Sequence, residues 1–333
     1  MRAVGIIFSN IHDNNVPELA RIRTLGSIPF GGRYRLIDFP LSNMVNSGID
    51  TVGIITKSNY QSLMDHVGSG KDWDLARKDG GLIFLPPYGD LGNDSLYTSR
   101  LEALKGITSF LFRADEEYVV MSDCDNVCRI NFNDVIENHI RSHADVSLVY
   151  KKIKRSELPI EANVIDFDME KDRVVGVNYL NDSSKENLNV FINVFVLKKS
   201  LLQNIVMDSI SRNKRHFMTD VIAENLKSMK IIGYEHEGFY TGITSLKAYF
   251  DGNMSLLNEA NRKATKKKLT CSQSSETKFT RSFVKPITFD TVSSDGLVLS
   301  VESLVSRRGM NCSASSSLLR SWRYWWLNHL PFS

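Results

Sequence analysis

The run Pro29–Ile49, PFGGRYRLIDFPLSNMVNSGI, constrains this chain more than any other stretch. Gly31 and Gly32 permit φ > 0 and a backbone that lies close to a ligand. Arg33 and Arg35 stand two apart, so an extended backbone aims both at one face, where planar guanidinium forks can grip phosphate. Asp38-Phe39-Pro40 opens a helix, with Pro40 in its first turn, where a missing N–H costs little. Leu41, Met44 and Val45 line the apolar face, and Gly48 ends it. Thr51–Thr56 follows as a short β-rich run. Turn, helix and buried strand in that order predict a βαβ unit. A plainer reading stands beside the phosphate reading: the glycines only turn the chain and the arginines are solvated.

At 333 residues the chain has length for two domains or one large one, and for a sizeable core. A net charge of +3 is too small to argue for nucleic acid, but its distribution is uneven. Residues 266–333 are net +6 and the rest of the chain net −3. Cys124, Cys128, Cys271 and Cys312 make no dense disulfide framework, which fits a reducing, cytoplasmic setting. Cys124 and Cys128 lack a second Cys/His pair at zinc spacing, so buried thiols are the better reading than metal ligands. The opening MRAVGIIFSN is too short an apolar run for a signal peptide, and no stretch approaches a membrane span.

Ala3–Phe8 reads as a buried strand. The loop after such a strand is glycine-rich in nucleotide-binding α/β proteins, because backbone N–H groups must approach phosphate closely. Here Ser9–Pro17, SNIHDNNVP, contains no glycine, and Asp13 adds repulsion. Tyr60, Leu63, Met64 and Val67 predict a helix with all four in the core, capped by Ser58 and closed by Gly68. Gly81–Pro87 predicts a strand, and Leu101, Leu104, Thr108 and Leu111 one longer helix. A strand over Glu117–Ser122 runs into Asp123-Cys124-Asp125. Acids there lie where open α/β sheets place ligands; one could hold a divalent ion, or simply cap a turn. Further helices are expected at Asn133–His143, Lys199–Asp208, Thr219–Leu226 and Leu246–Leu257. Strands are expected at Asp145–Tyr150, in three runs between Glu161 and Leu197, and at Ile231–Glu235. The alternation predicts a mixed, mostly parallel sheet covered by helices. After Thr265 the texture changes to Lys266–Lys268, a Ser-rich segment and a Trp322-Arg-Tyr-Trp-Trp326 end with no trusted period.

These motifs resemble the glucose-1-phosphate adenylyltransferases, whose stretch FGG-x-[YF]-R-[IL]-IDF-x-LSN-x-x-NSGI is matched here with Gly31, Gly32, Asp38 and Asn43 in place. Ser122–Phe132 resembles the segment carrying a metal aspartate, which would be Asp125. Asn193–Leu202 resembles the sugar-pocket strand and its helix, Phe217–Ile222 a degraded F-G-x-D-I-I, and Gly238–Leu256 the family's G-Y-W-x-D-V-G-T…N-M-x-L segment. The resemblance covers residues 1–262. It implies an α/β, Rossmann-like nucleotidyltransferase domain of the glycosyltransferase-A type, with helices on both faces of the sheet. It implies that residues 263–333 stand in place of a left-handed β-helix domain, absent or incomplete because no hexapeptide rhythm is present.

The departures set the functional expectation. The family's G-G-x-G-T-R-L loop is missing, and its phosphate lysine becomes Leu25. The E-K-P motif falls on Val177–Leu180, the sugar-contacting serine on Phe191 and the second metal aspartate on Gly242. This pattern resembles the GlgD-type subunits, which modulate a catalytic partner in a heterotetramer of glycogen synthesis. It implies little ADP-glucose formation by this chain alone and weak Mg²⁺ binding at Asp125. It also implies a basic effector pocket for sugar phosphates at Arg23 and Arg35, which otherwise read as surface ion-pair partners. Two other readings stand: an active sugar-1-phosphate nucleotidyltransferase with an unusual loop, and a stand-alone sugar-phosphate sensor.

Overall fold

The computed structural model describes residues 2–32, 34–87, 97–155, 163–168, 173–179 and 186–261. Arg33 and the whole stretch 262–333, with the expectations attached to them, lie outside these residues. Among the described residues, a nine-stranded mixed sheet forms the centre. β1 (Ala3–Phe8), β4 (Thr51–Ile55), β5 (Gly81–Leu85) and β6 (Tyr118–Asp123) pair in parallel, in the order β6-β1-β4-β5. The long β11 (Asn187–Lys198) runs antiparallel to β6, β8 (Val146–Lys154) and β9 (Asn163–Asp168); β10 (Arg173–Tyr179) is antiparallel to β9. β12 (Ile231–Glu235) joins β8 in parallel. Only β10 and β11 therefore oppose the common strand direction.

Alternation along the strands builds two cores. Val4, Ile6 and Phe8 face one layer with Val119 and Met121. That layer includes α4 (Arg100–Gly106), α5 (Thr108–Arg113) and α7 (Lys199–Ser211), which contribute Leu101, Leu104, Leu111, Leu202 and Val206. Ala3 and Ile7 face the other layer, with α2 (Asp38–Asn46), α3 (Gln61–Val67) and α6 (Phe132–Arg141). A third cluster gathers Leu25, Ile28, Phe30, Leu36, Phe39, Val127 and Ile243 with Tyr249 and Leu256; Tyr249 belongs to α8 (Leu246–Ser255).

Several expectations need correction. The helix expected across Leu101–Leu111 is two helices, broken at Gly106–Ile107, where glycine and a β-branched residue meet. Phe217–Ala223 forms a π-helical turn. On α3 the N-cap is Tyr60, with no side-chain cap, and only Leu63 and Val67 are buried; Met64 is exposed, because α3 shows the sheet a narrow face.

Candidate functional site

β1 and β6 are in register with Phe8 opposite Asp123, so their C-terminal ends bring the loop after β1 against the acids after β6. Cys124 N–H donates to Phe8 O at 3.2 Å, holding this junction closed. Asp123 is the last residue of β6 and fully buried. Its Oδ2 takes the Arg100 guanidinium and lies 2.7 Å from His12 Nε2. Arg100 is itself clamped between rings, 5.2 Å from the centroid of Phe8 and 5.0 Å from that of Phe195. Asp125 Oδ2 lies 3.6 Å from His12 Nε2 and accepts from Asn193 Nδ2 at 2.9 Å; its Oδ1 accepts from Asn126 Nδ2 at 2.7 Å. Asn193 reaches in because β11 is irregular between Phe191 and Val194, with Asn193 at φ 56°.

The charges shift one another. Burial alone would lower the His12 imidazole, but the charge of Asp125 and the hydrogen bond and charge of Asp123 more than reverse that, leaving it raised. Burial raises Asp123, but the Arg100 guanidinium and His12 outweigh it and hold the carboxyl below its usual range. Asp125 is raised, chiefly by burial and by the charge of Asp123, with His12 opposing.

Two short elements close the site. β7 (Asn126–Cys128) pairs with β13 (Tyr240–Gly242), placing Gly242 opposite Asn126, and Ile243 N–H donates to Asp125 O at 2.7 Å. The position aligned with a second metal aspartate is therefore beside Asp125, but carries no side chain. A Cβ there would sit 2.7 Å from Tyr240 Oη. The loop after β1 folds into a short turn, Asp13–Asn15, and a helix, α1 (Pro17–Ala20). Asp13 Oδ1 accepts from Leu25 N–H at 2.7 Å, and burial pushes this carboxyl up to about 7. Leu25, in the phosphate lysine's place, is packed in the third core cluster. Phe191, in the sugar serine's place, is 4% exposed and stacks edge-on against Phe195.

The motif residues of the Pro29–Ile49 run serve the backbone. β2 (Pro29–Phe30) and β3 (Tyr34–Arg35) form a hairpin turned by Gly31 (φ 63°) and Gly32 (φ 77°), and Gly31 N–H donates to Asn253 Oδ1 of α8. Asp38 accepts from Arg35 N–H at 3.0 Å and contacts His66 Nε2 at 2.6 Å. Asn43 donates to Cys128 O and accepts from Ile130 N–H, tying α2 to the segment just past Asp125. Arg35 reaches Ser62 Oγ at 2.8 Å, and Arg23 lies partly buried between α1 and the turn at Leu25. Structure thus brings Asp125 together with His12, Arg100, Asn126 and Asn193, none of which had been singled out from sequence. The available signal was Arg100 on an otherwise apolar helix face, and His12 in a loop that should carry glycine.

Among the described residues, the grouping of possible metal ligands is His12, Asp123 and Asp125, with ligand atoms within 4.8 Å of one another and neither cysteine among them. Cys124 and Cys128 are buried free thiols, and burial raises Cys128 to about 12. Mg²⁺ demands near-octahedral oxygen ligation. Here one donor is an imidazole, Asp123 already meets a guanidinium, and both Asp125 oxygens accept from amides. Of the carboxylate oxygens here only Asp123 Oδ1 lacks a partner, as does the amide oxygen Asn126 Oδ1, and two such oxygens fall well short of a magnesium site. The residues do not fit the ion.

Comparison with known proteins agrees with the architecture. The chain is 30% identical over 267 residues to a glucose-1-phosphate adenylyltransferase of Halalkalibacterium halodurans, covering 77% of this chain and 67% of that protein. It is 32% identical over 242 residues to that of Clostridium kluyveri, covering 71% and 61%, and 31% identical over 243 residues to that of Thermotoga neapolitana, covering 69% and 55%. The chain thus spans roughly three-fifths of the length of these relatives. A crystal structure described as a glucose-1-phosphate thymidylyltransferase from Bacillus anthracis shares the fold, with a TM-score of 0.59 at 15% identity over 76% of this chain and 94% of that one. Among the described residues, no helix is long and apolar enough to cross a membrane. A family model described as nucleotidyl transferase matches residues 19–259, most of the chain, which therefore belongs to the nucleotidyl transferase family.

Proposed function

We propose that this chain is a modulatory, catalytically poor subunit of glucose-1-phosphate adenylyltransferase, acting in the cytoplasm beside a catalytic subunit in glycogen synthesis. The observation that supports this reading is Gly242 beside Asp125, with Ile243 N–H on the Asp125 carbonyl and no carboxylate across from it. Phosphoryl transfer of this kind works by positioning and by neutralising charge. Losing one such group costs on the order of 2.7–4 kcal/mol, or 10²–10³ in rate. Losses need not add, yet Leu25 and the glycine-free loop remove more of the same machinery. In this proposal Mg²⁺ binds poorly, and Arg23 and Arg35 contact the phosphate of a sugar-phosphate effector.

The test is diphosphate release from ATP and glucose 1-phosphate with Mg²⁺, using the isolated chain and then the chain with a catalytic subunit. The expected result is turnover of the isolated chain far below the usual enzyme range of about 1–10³ s⁻¹, with co-elution and an altered rate in the mixture. Ordinary turnover by the isolated chain would restore the reading of an active transferase. A chain that neither turns over nor associates, yet binds a sugar phosphate, would be a stand-alone sensor.

A further inference from the structure

The residues around Asp123 and Asp125 do not merely lack a metal partner; they replace one. His12 Nε2 stands 2.7 Å from Asp123 Oδ2 and 3.6 Å from Asp125 Oδ2, so a single nitrogen faces one oxygen of each carboxylate. Arg100 supplies a guanidinium to Asp123 from α4, fixed between Phe8 and Phe195. The Asn126 and Asn193 amides occupy the two Asp125 oxygens. Both carboxylates are thereby held by partners from the protein itself, and an added dication would have to displace the imidazole that stands between them. Isolated buried charge is among the costliest arrangements a protein can hold.

We infer that the His12 imidazole is the resident partner of this strand end: it fills the place between Asp123 and Asp125 that a divalent ion would take, and the domain completes its fold without metal. The loop after β1 owes its path to the same contact, since it carries His12 down to the strand ends and leaves Asp13 bonded to Leu25 N–H. Removing the imidazole leaves Asp123 Oδ2 to Arg100 and Asp125 Oδ2 to Asn193, and vacates the place between the two carboxylates for a weakly held cation. The inference draws on the reading above only in naming this strand end as the family's metal position. Its readouts are metal binding and stability rather than turnover, so either can fail while the other stands.

The experiment titrates the full chain with MnCl₂ and counts free ion by electron paramagnetic resonance, with thermal unfolding followed in parallel. Wild type is compared with His12→Ala and His12→Gln. Wild type is expected to bind no tighter than about 10⁻³ M, the weak end for oxygen-ligated cations, and to show no change in midpoint on adding Mn²⁺. Both variants are expected to unfold at a lower temperature, to bind Mn²⁺ roughly tenfold tighter or more, and to recover part of the lost midpoint when it is present. Wild type binding Mn²⁺ as tightly as the variants would overturn the inference, since imidazole and ion would then coexist. Variants as stable as wild type and equally indifferent to Mn²⁺ would overturn it too. Should the variants not fold, wild type and Asp125→Asn decide. A wild-type midpoint that rises with Mn²⁺, with the rise lost in Asp125→Asn, rejects the imidazole as resident partner; the same midpoint with and without Mn²⁺ supports it.

Discussion

The hairpin and helix over Phe30–Ser47 and the strand end at Asp123–Asn126 are joined through Asn43, yet they use polar side chains in opposite ways. In the first, side chains close backbone hydrogen bonds. Asn43 serves Cys128 and Ile130, Ser47 Oγ accepts from Phe132 N–H, Asp38 accepts from Arg35 N–H, and Asn253 accepts from Gly31 N–H. None of these bonds needs a ligand. At the strand end the contacts run between side chains: His12, Arg100, Asn126 and Asn193 converge on two carboxylates. A family motif can therefore be complete because the fold requires it, while the chemistry is decided by the groups that the backbone does not use.

That contrast can be broken by substitution. Arg100→Met should have the largest effect, because it leaves Asp123 buried with only His12 beside it. Breaking a buried pair from one side costs about 3–5 kcal/mol. Denaturant unfolding that finds under about 1 kcal/mol would mean the guanidinium is not what holds Asp123 in place. Asn43→Ala comes next. It strands a buried carbonyl and a buried N–H between α2 and the segment after β7, at about 1–3 kcal/mol for each unsatisfied group. Amide exchange should accelerate at Ile130; if it accelerates no more there than across the whole domain, the link between the two regions is weaker than the bonds suggest.

Asp13 sharpens the comparison through pH. Its folded-state carboxyl is raised to about 7 by burial, partly offset by the Leu25 N–H and Lys57. Between the ordinary aspartate value near 4 and about 7 the unfolded chain releases this proton while the folded chain keeps it, so this group lowers stability as pH rises and has no further effect above that window. Asp13→Asn keeps an acceptor for Leu25 N–H and should be more stable than wild type at pH 8, by on the order of 1 kcal/mol, with the gap closing by pH 4. A gap independent of pH would place the effect elsewhere. Arg35 gives the smallest change. Arg35→Ala loses the Ser62 contact at about 1 kcal/mol and should weaken binding of a sugar bisphosphate, while Arg35→Lys keeps part of both. Unchanged effector binding in both variants would mean that Arg35 serves the fold, through contacts such as that with Ser62, and not an effector.

Most of the sheet was legible because its signals are local. Ala3–Phe8, Thr51–Ile55 and Ile231–Glu235 are apolar runs bounded by polar turns, and their strands fall where those runs lie. The split of Leu101–Leu111 into two helices was harder to read, since the apolar period continues across Gly106 and only packing shows the break. At the site, Asp125 could be named from the strand preceding it, and Gly242 as a missing acid. Nothing local announces that His12, Arg100 and Asn193 meet there. They come from three separated stretches, up to 181 residues apart.

The sequence by itself determined the βαβ order, the turn at Gly31-Gly32, the helix from Asp38 and the strand that delivers Asp123, because periodicity and glycine placement act over a few residues. Only the tertiary structure decided that the strand-end acids are neutralised from within. Whether a buried carboxylate awaits an ion or already has its partner depends on which side chains the sheet order and an irregular strand bring within about 3 Å, a hydrogen-bond distance that spacing along the chain does not encode.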